Sequence, residues 1–397
     1  MGRAARVAAA VVALSACGAA PRHAPPVIVL GDPMPARCQR TDALSSTDAE
    51  FERCMGWAMD RLLMASSFRT YDDPALTAYV ASVGQRLVAA SGKPIALTFR
   101  VIDDPDPEAY ANLGGTIYVA RGALARLRDE AELAGLLGHE IGHELAGHMR
   151  ETLFEVLRHV ERSREEQAVD SRSARDDEIQ ADDLAVLLAA RAGYDPRAVD
   201  TMLRAVAAGD PVTSVDDPDD NHPQWAERLA RVDAFAEHFP AGGERREREY
   251  RAHVSGLVVG DDPRVAAVVG DVGLFARSRL AIDLPPRANA FASAGTILIG
   301  WSDGAAEMRV VSRAVAEAIP AKQLAPQTWN ETVIRGDVAV IVETTGGSAE
   351  HRAKQLAGAV REPRDEAKQL QLQLVDFAAP RGLWPAAPVV DKPSAKI

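Results

Sequence analysis

Residues 129–150 read DEAELAGLLGHEIGHELAGHMR, and their pattern is the strongest structural signal in the first half of the chain. Asp129 and Glu132 have the spacing of a capping box, which begins a helix. Apolar residues then recur at every fourth position: Leu133, Leu137, Ile141 and Leu145. Because a helix turns once in about 3.6 residues, this period produces one buried face. The segment therefore predicts an amphipathic helix over residues 130–150.

Two histidines lie one turn apart in this helix. His139 and His143 are about 40° apart around the axis, so both imidazoles can reach one Zn²⁺. Glu140 lies on the adjoining flank, beside the water that such a metal would bind. A zinc with neutral ligands is a strong Lewis acid, and a neighbouring carboxylate can take a proton as the water attacks a carbonyl. The pattern predicts a hydrolytic site with one Zn²⁺ per chain.

The same helix does not supply a third ligand. His148 falls about 180° from His139, within the apolar stripe, and is interpreted as structural. Met149 stands where a metzincin would carry its third histidine. On the next helical segment, Glu178 and Asp182 project from one face. Glu178 could complete the site and Asp182 could accept the other ring N–H of a ligand histidine. Taken alone, these two acids read more simply as a charged helix surface.

Length and charge limit the class of protein. The chain has 397 residues, a formal net charge of −12 and 47% hydrophobic residues. This length predicts two or three domains, and the composition excludes disordered, collagen-like and coiled-coil chains. The acidic balance, with no basic stripe, argues against a nucleic-acid partner.

Residues 1–17 have the pattern of a bacterial lipoprotein signal. A basic start precedes an apolar run that is too short to span a bilayer. The run ends in LSAC, which resembles a lipobox and makes Cys17 the predicted lipidation site. Gly18 follows in place of the Asp that resembles an inner-membrane retention signal, which favours the outer membrane. A conventional signal with a buried Cys17 is the alternative.

Export would place two further cysteines in an oxidising compartment. Cys38 and Cys54 lie in one short region, where such a pair commonly forms a disulfide. A bond that closes this loop contributes about 3 kcal/mol in the loop-entropy model. Two separate buried thiols are the alternative.

The remaining pattern predicts an α+β protein of two folded parts. Residues 18–45 are proline-rich, as in a tether. Residues 46–245 predict a mostly helical domain with a small sheet, whose strands lie at 97–102 and 116–120. Residues 250–380 predict a smaller α/β domain, with a helical stretch at 310–319, and residues 381–397 a flexible tail.

Several motifs around the two histidines occur in the order found in a known family. They are Ala109-Tyr110-Ala111, Gly114-Gly115, Ile117-Tyr118-Val119, Glu178-Ile179-Gln180-Ala181-Asp182, and His222-Pro223 with Arg228. With HEIGH, they resemble the zinc metallopeptidases that include the HtpX and CaaX prenyl proteases, and especially their bacterial periplasmic members such as BepA. The resemblance covers about residues 70–235.

This resemblance implies roles for individual residues. It implies that His139, His143 and Glu178 bind zinc and that Glu140 is the general base. Asp182 would support a ligand. His222 and Arg228 would stabilise the oxyanion.

The resemblance also implies a surface for the substrate. The residues Gly114, Gly115, Thr116, Ile117 and Tyr118 would form an edge strand on which an extended peptide adds as a further strand. Glu108 and Leu113 stand where the family usually has Asn and Pro, so the loop on the substrate side is expected to differ.

Together these features predict a zinc endopeptidase, lipid-anchored on the periplasmic face of a bacterial envelope, with the outer membrane favoured over the inner. Its expected substrates are unfolded or misassembled envelope proteins, by analogy with the family. Two alternatives remain: a chaperone-like assembly lipoprotein with suppressed or absent peptidase activity, and a small-molecule metallohydrolase. His222 follows an Asp/Pro-rich loop and is predicted to regulate the site, as an inhibitory metal ligand or as an oxyanion donor.

Overall fold

A computed structural model describes residues 38, 49–66, 69–151, 164–207, 225–286, 288–293, 295–318, 323–325, 327–375 and 388–390. These residues form two compact units. The first unit contains the described residues up to Leu257, together with Val375. The second unit contains Val258–Leu374. The predicted signal with Cys17, most of the tether, and His222 lie outside the described residues.

The first unit is mainly helical. Its helices are α1 (Ala49–Ser66), α2 (Pro74–Ser91), α3 (Arg121–Arg126), α4 (Glu130–Ala146), α5 (Arg164–Arg191), α6 (Ala198–Ala207), α7 (Trp225–Ala236) and α8 (Glu247–Val254). Its strands are β1 (Thr98–Ile102), β2 (Ala109–Asn112) and β3 (Thr116–Ala120). The predicted α+β class is confirmed, as are the two strands and the helices that the motifs occupy.

Local capping explains where the central helices begin. The Asp73 carboxylate accepts a hydrogen bond from the backbone N–H of Leu76 at the start of α2. The Asp129 carboxylate accepts one from Glu132 N–H, at 2.9 Å, at the start of α4. Each bond satisfies a backbone donor that the first helical turn leaves without a partner.

The end of α4 differs from the prediction. The helix stops at Ala146 because Gly147 adopts a left-handed conformation, with φ of 83°. Glycine enters this region without the steric cost of a Cβ, and it often ends helices in this way. The predicted continuous helix over residues 130–150 is therefore interrupted at Gly147, and residues 148–151 are helical again.

The sheet of the first unit has the order β1, β3, β2. Strand β3 pairs in parallel with β1 and antiparallel with β2. The prediction that residues 114–118, with Gly114, Gly115, Thr116, Ile117 and Tyr118, form an edge strand is wrong, because Thr116, Ile117 and Tyr118 have a partner strand on both sides. The outer strand next to α4 is β2, which packs against that helix.

Small residues bring α4 and α5 close together. A Cβ added to Gly138 would lie 3.2 Å from the Cα of Ala185, and one added to Gly142 would lie 3.1 Å from the Cα of Ala181. Larger side chains at these glycines would push the helices apart. Gly138 and Gly142 directly precede His139 and His143 on α4. The close approach of the two helices therefore brings the acidic residues of α5 near the two histidines.

The second unit begins at Val258, later than predicted. Helix α8 belongs to the first unit, since its Tyr250 is fully buried and donates a hydrogen bond to the Leu124 carbonyl. Val375 N–H likewise donates to the carbonyl of Leu257 within the first unit.

The second unit is built from antiparallel strands. They are β4 (Ala267–Val269), β5 (Val272–Phe275), β6 (Leu280–Asp283), β7 (Asn289–Ser293), β8 (Thr296–Trp301), β9 (Gly304–Ser312), β10 (Gln323–Ala325), β11 (Thr328–Arg335), β12 (Val338–Thr345), β13 (Val360–Arg361), β14 (Gln371–Gln373) and β15 (Pro388–Val390). Its helices are α9 (Arg313–Ala318) and α10 (Ala349–Gly358).

The strands of the second unit form one sheet of order β10, β11, β12, β9, β8, β7, another of order β13, β6, β5, β4, and the pair β14 and β15. A core that includes Phe275, Ile297 and Met308 packs between strands and α10. Every strand pairing described in this unit is antiparallel, so the predicted α/β domain is corrected to an antiparallel one with two helices.

A disulfide joins Cys38 to Cys54 in the first unit and fastens the chain before α1 to that helix. Among the described residues, no helix combines the length and apolar composition needed to cross a bilayer.

Candidate metal centre

Three side chains converge between α4 and α5. His139, His143 and Glu178 each present one ligand atom, and these atoms all lie within 4.8 Å of one another. The two Nε2 atoms are 3.2 Å apart. Oε2 of Glu178 lies 3.4 Å from Nε2 of His139, and Oε1 lies 3.4 Å from Nε2 of His143. Ligand atoms about 2.05 Å from a tetrahedral zinc are about 3.3 Å from one another, so the three groups fit a Zn²⁺ ion.

The outer side of His139 is held by an ionic network. Its Nδ1 lies 2.9 Å from Asp182 Oδ1, and Asp182 is 1% exposed. A carboxylate can only accept here, so Nδ1 carries the proton and Nε2 is left to face the site. Arg228 donates to both oxygens of Asp182, at 2.7 and 2.8 Å. Asp182, which the sequence predicts to support a ligand histidine, thus contacts His139, and its orienting role stays a prediction.

Arg228 also reaches a predicted ligand. One of its terminal nitrogens lies 3.1 Å from Glu178 Oε2, and its guanidinium lies 5.0 Å from the Trp225 ring centroid. The structure thus places Arg228 against the two acids of α5. This position suits a residue that holds Glu178 and Asp182, and the oxyanion role remains a prediction.

Buried charges shift the acid and base strengths of this group. Burial alone would lower the pKa of His139, but the charge of Glu178 and hydrogen bonds with Asp182 and Glu178 raise it to about 10. Burial favours the neutral form of Glu178, yet the charge of His139 and hydrogen bonds from both histidines hold its pKa well below the usual range. A metal that binds His139 must therefore displace a proton.

His143 has a different outer partner. Its Nδ1 lies 3.0 Å from Nδ1 of His148, and Nε2 of His148 lies 2.8 Å from Oε1 of Gln180. The interpretation of His148 as part of the apolar stripe is wrong. The left-handed Gly147 redirects the chain, so the angle that a continuous helix would give to His148 does not apply. The signal in the sequence was Gly147 itself, a common helix terminator.

Glu140 follows the first histidine on α4 and is buried, with 7% of its surface exposed. One turn further along lies Glu144. Burial and the charges of Glu52 and Glu140 raise the pKa of Glu144 to about 7. The site thus holds acids on both helices. His222, which the sequence associates with it, lies outside the described residues, and α7 begins three residues later at Trp225.

Comparison with known proteins identifies a family that is similar to the part of the chain containing these residues. Residues 74–236 match the model of peptidase family M48. The beta-barrel assembly-enhancing protease of Yersinia pestis is 35% identical over 120 residues, which cover 30% of this chain and 24% of the relative. The mitochondrial metalloendopeptidase OMA1 of Schizosaccharomyces pombe is 37% identical over 78 residues, which cover 19% of this chain and 23% of the relative. The chain spans about a quarter of the length of these relatives.

The resemblance found in the sequence is therefore confirmed, and the match to a metallopeptidase family supports the predicted enzyme class. The matched range contains both helices of the candidate metal centre. His139, His143 and Glu178 all lie within residues 74–236, the range that matches peptidase family M48, whose members are metallopeptidases that use a metal, usually zinc.

Proposed function

We propose that the chain is a zinc endopeptidase whose ligands are His139, His143 and Glu178. The observation that carries the proposal is the convergence of their three ligand atoms within 4.8 Å. When bound, Zn²⁺ would act as a Lewis acid that makes a water acidic and polarises the scissile carbonyl. Asp182 and Arg228 would keep His139 and Glu178 oriented, which preserves the geometry of the site.

Glu140 would move the proton. As general base, it would accept the proton of the attacking water and then deliver it to the leaving amine nitrogen. Its position next to His139 on α4 supports this role. Its burial supports it as well, since a carboxylate shielded from bulk water interacts more strongly with charge that develops beside it.

The substrate would bind as an extended strand along β2. This outer strand has β3 on one side and packs against α4. Pairing with β2 would present the peptide backbone to the site through main-chain hydrogen bonds, which read extended conformation rather than one sequence. Unfolded or misassembled envelope proteins are therefore the proposed substrates, in keeping with the name of the Yersinia pestis relative.

The location is also a proposal. Acylation of Cys17 would anchor the chain on the periplasmic side of a bacterial envelope, at the outer membrane. The lipobox pattern supports it. Replacing Cys17 with Ser should release the protein into the soluble fraction. Retention of Cys17→Ser on membranes after a salt wash would contradict lipid anchoring.

His222 would regulate turnover. A neutral imidazole bound to the metal would exclude the water, whereas one turned toward the substrate would donate to the oxyanion. Loss of turnover with zinc retained in His222→Ala supports the oxyanion role, and increased turnover supports the inhibitory role. Unchanged turnover and zinc affinity would exclude both roles.

The decisive experiment compares Glu140→Gln with wild type. We expect about one zinc per chain in both proteins, with cleavage of unfolded casein reduced by about 10³-fold in the variant, because a general base contributes about 10²–10⁴-fold. Glu237→Gln, at an exposed position, is the matched control and should cleave normally. Wild-type cleavage by Glu140→Gln would reject Glu140 as the base, and zinc-free wild-type protein would reject the metal site.

A further inference from the structure

His148 stands beside a predicted metal ligand in a closed environment. Its side chain is 4% exposed. One ring nitrogen, Nδ1, lies 3.0 Å from Nδ1 of His143. The other, Nε2, lies 2.8 Å from Oε1 of Gln180 and 3.4 Å from a carboxylate oxygen of Asp177. His148 thus connects a residue of α4 to two residues of α5.

The hydrogen atoms in this connection have one consistent arrangement when His143 binds metal. Nε2 of His143 faces His139 and Glu178, so it must carry a lone pair there. The neutral ring then has its proton on Nδ1 and donates it to Nδ1 of His148. His148 in turn carries its proton on Nε2 and donates to Gln180.

The surroundings of His148 favour that arrangement. Both neighbours of its Nε2, the amide oxygen of Gln180 and the carboxylate of Asp177, accept hydrogen bonds. Two acceptors at Nε2 place the proton there and leave Nδ1 as the acceptor for His143. The opposite arrangement would put the proton of His143 on Nε2, where it would block the metal.

We infer that His148 is a positioning residue that holds His143 in the tautomer and ring orientation required for metal binding. The inference rests on the proposed metal site. His143 would thus be oriented by a neutral relay, whereas His139 is oriented by the ion pair of Asp182 and Arg228. Groups that orient ligand histidines typically change metal affinity by about 10–100-fold when they are removed.

The test measures zinc affinity by competition with a chelator. His148→Ala removes the acceptor, and we expect about 10–100-fold weaker binding. His148→Asn places an amide oxygen near the former Nδ1, so its affinity should lie between those of wild type and His148→Ala. His238→Ala, at an exposed position, should bind as wild type does. The thermal midpoint of the metal-free protein is measured for each variant.

The outcomes separate positioning from packing. Weak binding by His148→Ala with recovery in His148→Asn supports the inference. Equal weakening in both variants, together with lower midpoints of the metal-free proteins, would mean a packing role and would overturn it. Wild-type affinity in His148→Ala overturns it while the metal site stands. Failure of the wild type to bind zinc would reject the site and the inference together.

A spectroscopic readout tests the tautomer directly. Long-range ¹H–¹⁵N spectra of zinc-loaded protein labelled at the histidine nitrogens distinguish a protonated Nδ1 from a protonated Nε2. We expect His143 to be protonated on Nδ1, and His148 on Nε2. A protonated Nδ1 on His148 would overturn the inference.

Discussion

The two ends of α4 both bury charged side chains, but they surround them differently. Near the N-terminus, Glu130 is 1% exposed and accepts hydrogen bonds from Tyr79 at 2.8 Å, Tyr194 at 2.7 Å and Arg246 at 2.6 Å. Each contact pairs a donor with an acceptor. Both oxygens of this buried carboxylate thus have hydrogen-bond donors, as a stable interior requires.

At the other end of α4, atoms that could accept face one another. Nε2 of His139 and Nε2 of His143 are 3.2 Å apart, and both Glu178 oxygens are directed at them. Such a group needs a proton or a cation at its centre. Burial of charge alone therefore does not identify a site, whereas convergence of acceptor atoms does.

The two ends of α4 should differ most in how a lost carboxylate changes zinc affinity. Glu178→Gln replaces a charged ligand with a weaker neutral one, so zinc affinity should fall by more than about 100-fold, beyond what loss of an orienting partner does. Glu130→Gln is the matched change at the N-terminal end and should leave zinc affinity unaltered. Chelator competition measures both. Similar zinc affinities in the two variants would contradict the claim that only the C-terminal end of α4 binds the metal.

Glu130→Gln should act on stability instead. The amide retains one acceptor but turns a hydrogen-bonding oxygen into a donor that faces existing donors, and Arg246 loses its buried charged partner, keeping only the longer contact with Glu244 at 4.0 Å among the described residues. We expect the free energy of unfolding to fall by about 2–3 kcal/mol. Urea denaturation of the metal-free protein measures this loss. Wild-type stability would show that the three donors find other acceptors.

Zinc binding at the C-terminal end of α4 should depend on pH. In the metal-free protein, the charge of Glu178 and hydrogen bonds with Asp182 and Glu178 raise the pKa of His139 to about 10. Both ring nitrogens of His139 therefore carry a proton at neutral pH. Zinc must displace one of these protons, and affinity should therefore increase about tenfold per pH unit between about pH 7 and 9. Competition titrations, corrected for protonation of the chelator, measure the slope. A flat profile above about pH 7.5 would indicate an ordinary histidine pKa.

Local chemistry made parts of this fold predictable from the sequence. Asp73 and Asp129 place the starts of α2 and α4 because a capping bond joins residues only three apart. The two histidines share a face because one helix fixes their separation. Glu178 was a candidate from its own helix, but only the resemblance favoured it over a charged helix surface, since no local pattern states which helix packs against α4.

Other features depend on contacts between distant residues. Thr116–Ala120 was correctly predicted as a strand. Its central position in the sheet depends on which strands pair with it, and the strand's own sequence does not reveal those partners. Val310 and Val311 were read as helical, yet they belong to β9 and pair with Val340 and Ala339 of β12. The contact of Arg228 with Asp182 spans 46 residues, which is why its position beside the acids was not foreseen.

The two oxygens of Glu130, at the N-terminal end of α4, differ in their hydrogen-bond donors. Tyr194 donates to Oε1 of Glu130, and Arg246 reaches the same oxygen. Removing the Tyr194 hydroxyl therefore leaves Oε1 with a donor. Tyr79 donates to Oε2. Among the described residues, no other hydrogen-bond donor to this oxygen is found. Tyr79→Phe should thus leave a buried oxygen without a hydrogen bond, whereas Tyr194→Phe should not.

We expect Tyr194→Phe to lower the free energy of unfolding by about 1 kcal/mol and Tyr79→Phe by about 2 kcal/mol, because an orphaned buried acceptor costs more than a lost bond. Phenylalanine keeps both rings, and so preserves the stacking of Tyr79 on His253 and the packing of Arg86 over Tyr194. Urea denaturation gives the two values, and zinc affinity serves as the control that should not change. Equal losses would show that the two oxygens of Glu130 share their donors, and a change in zinc affinity would mean that the two ends of α4 are energetically linked.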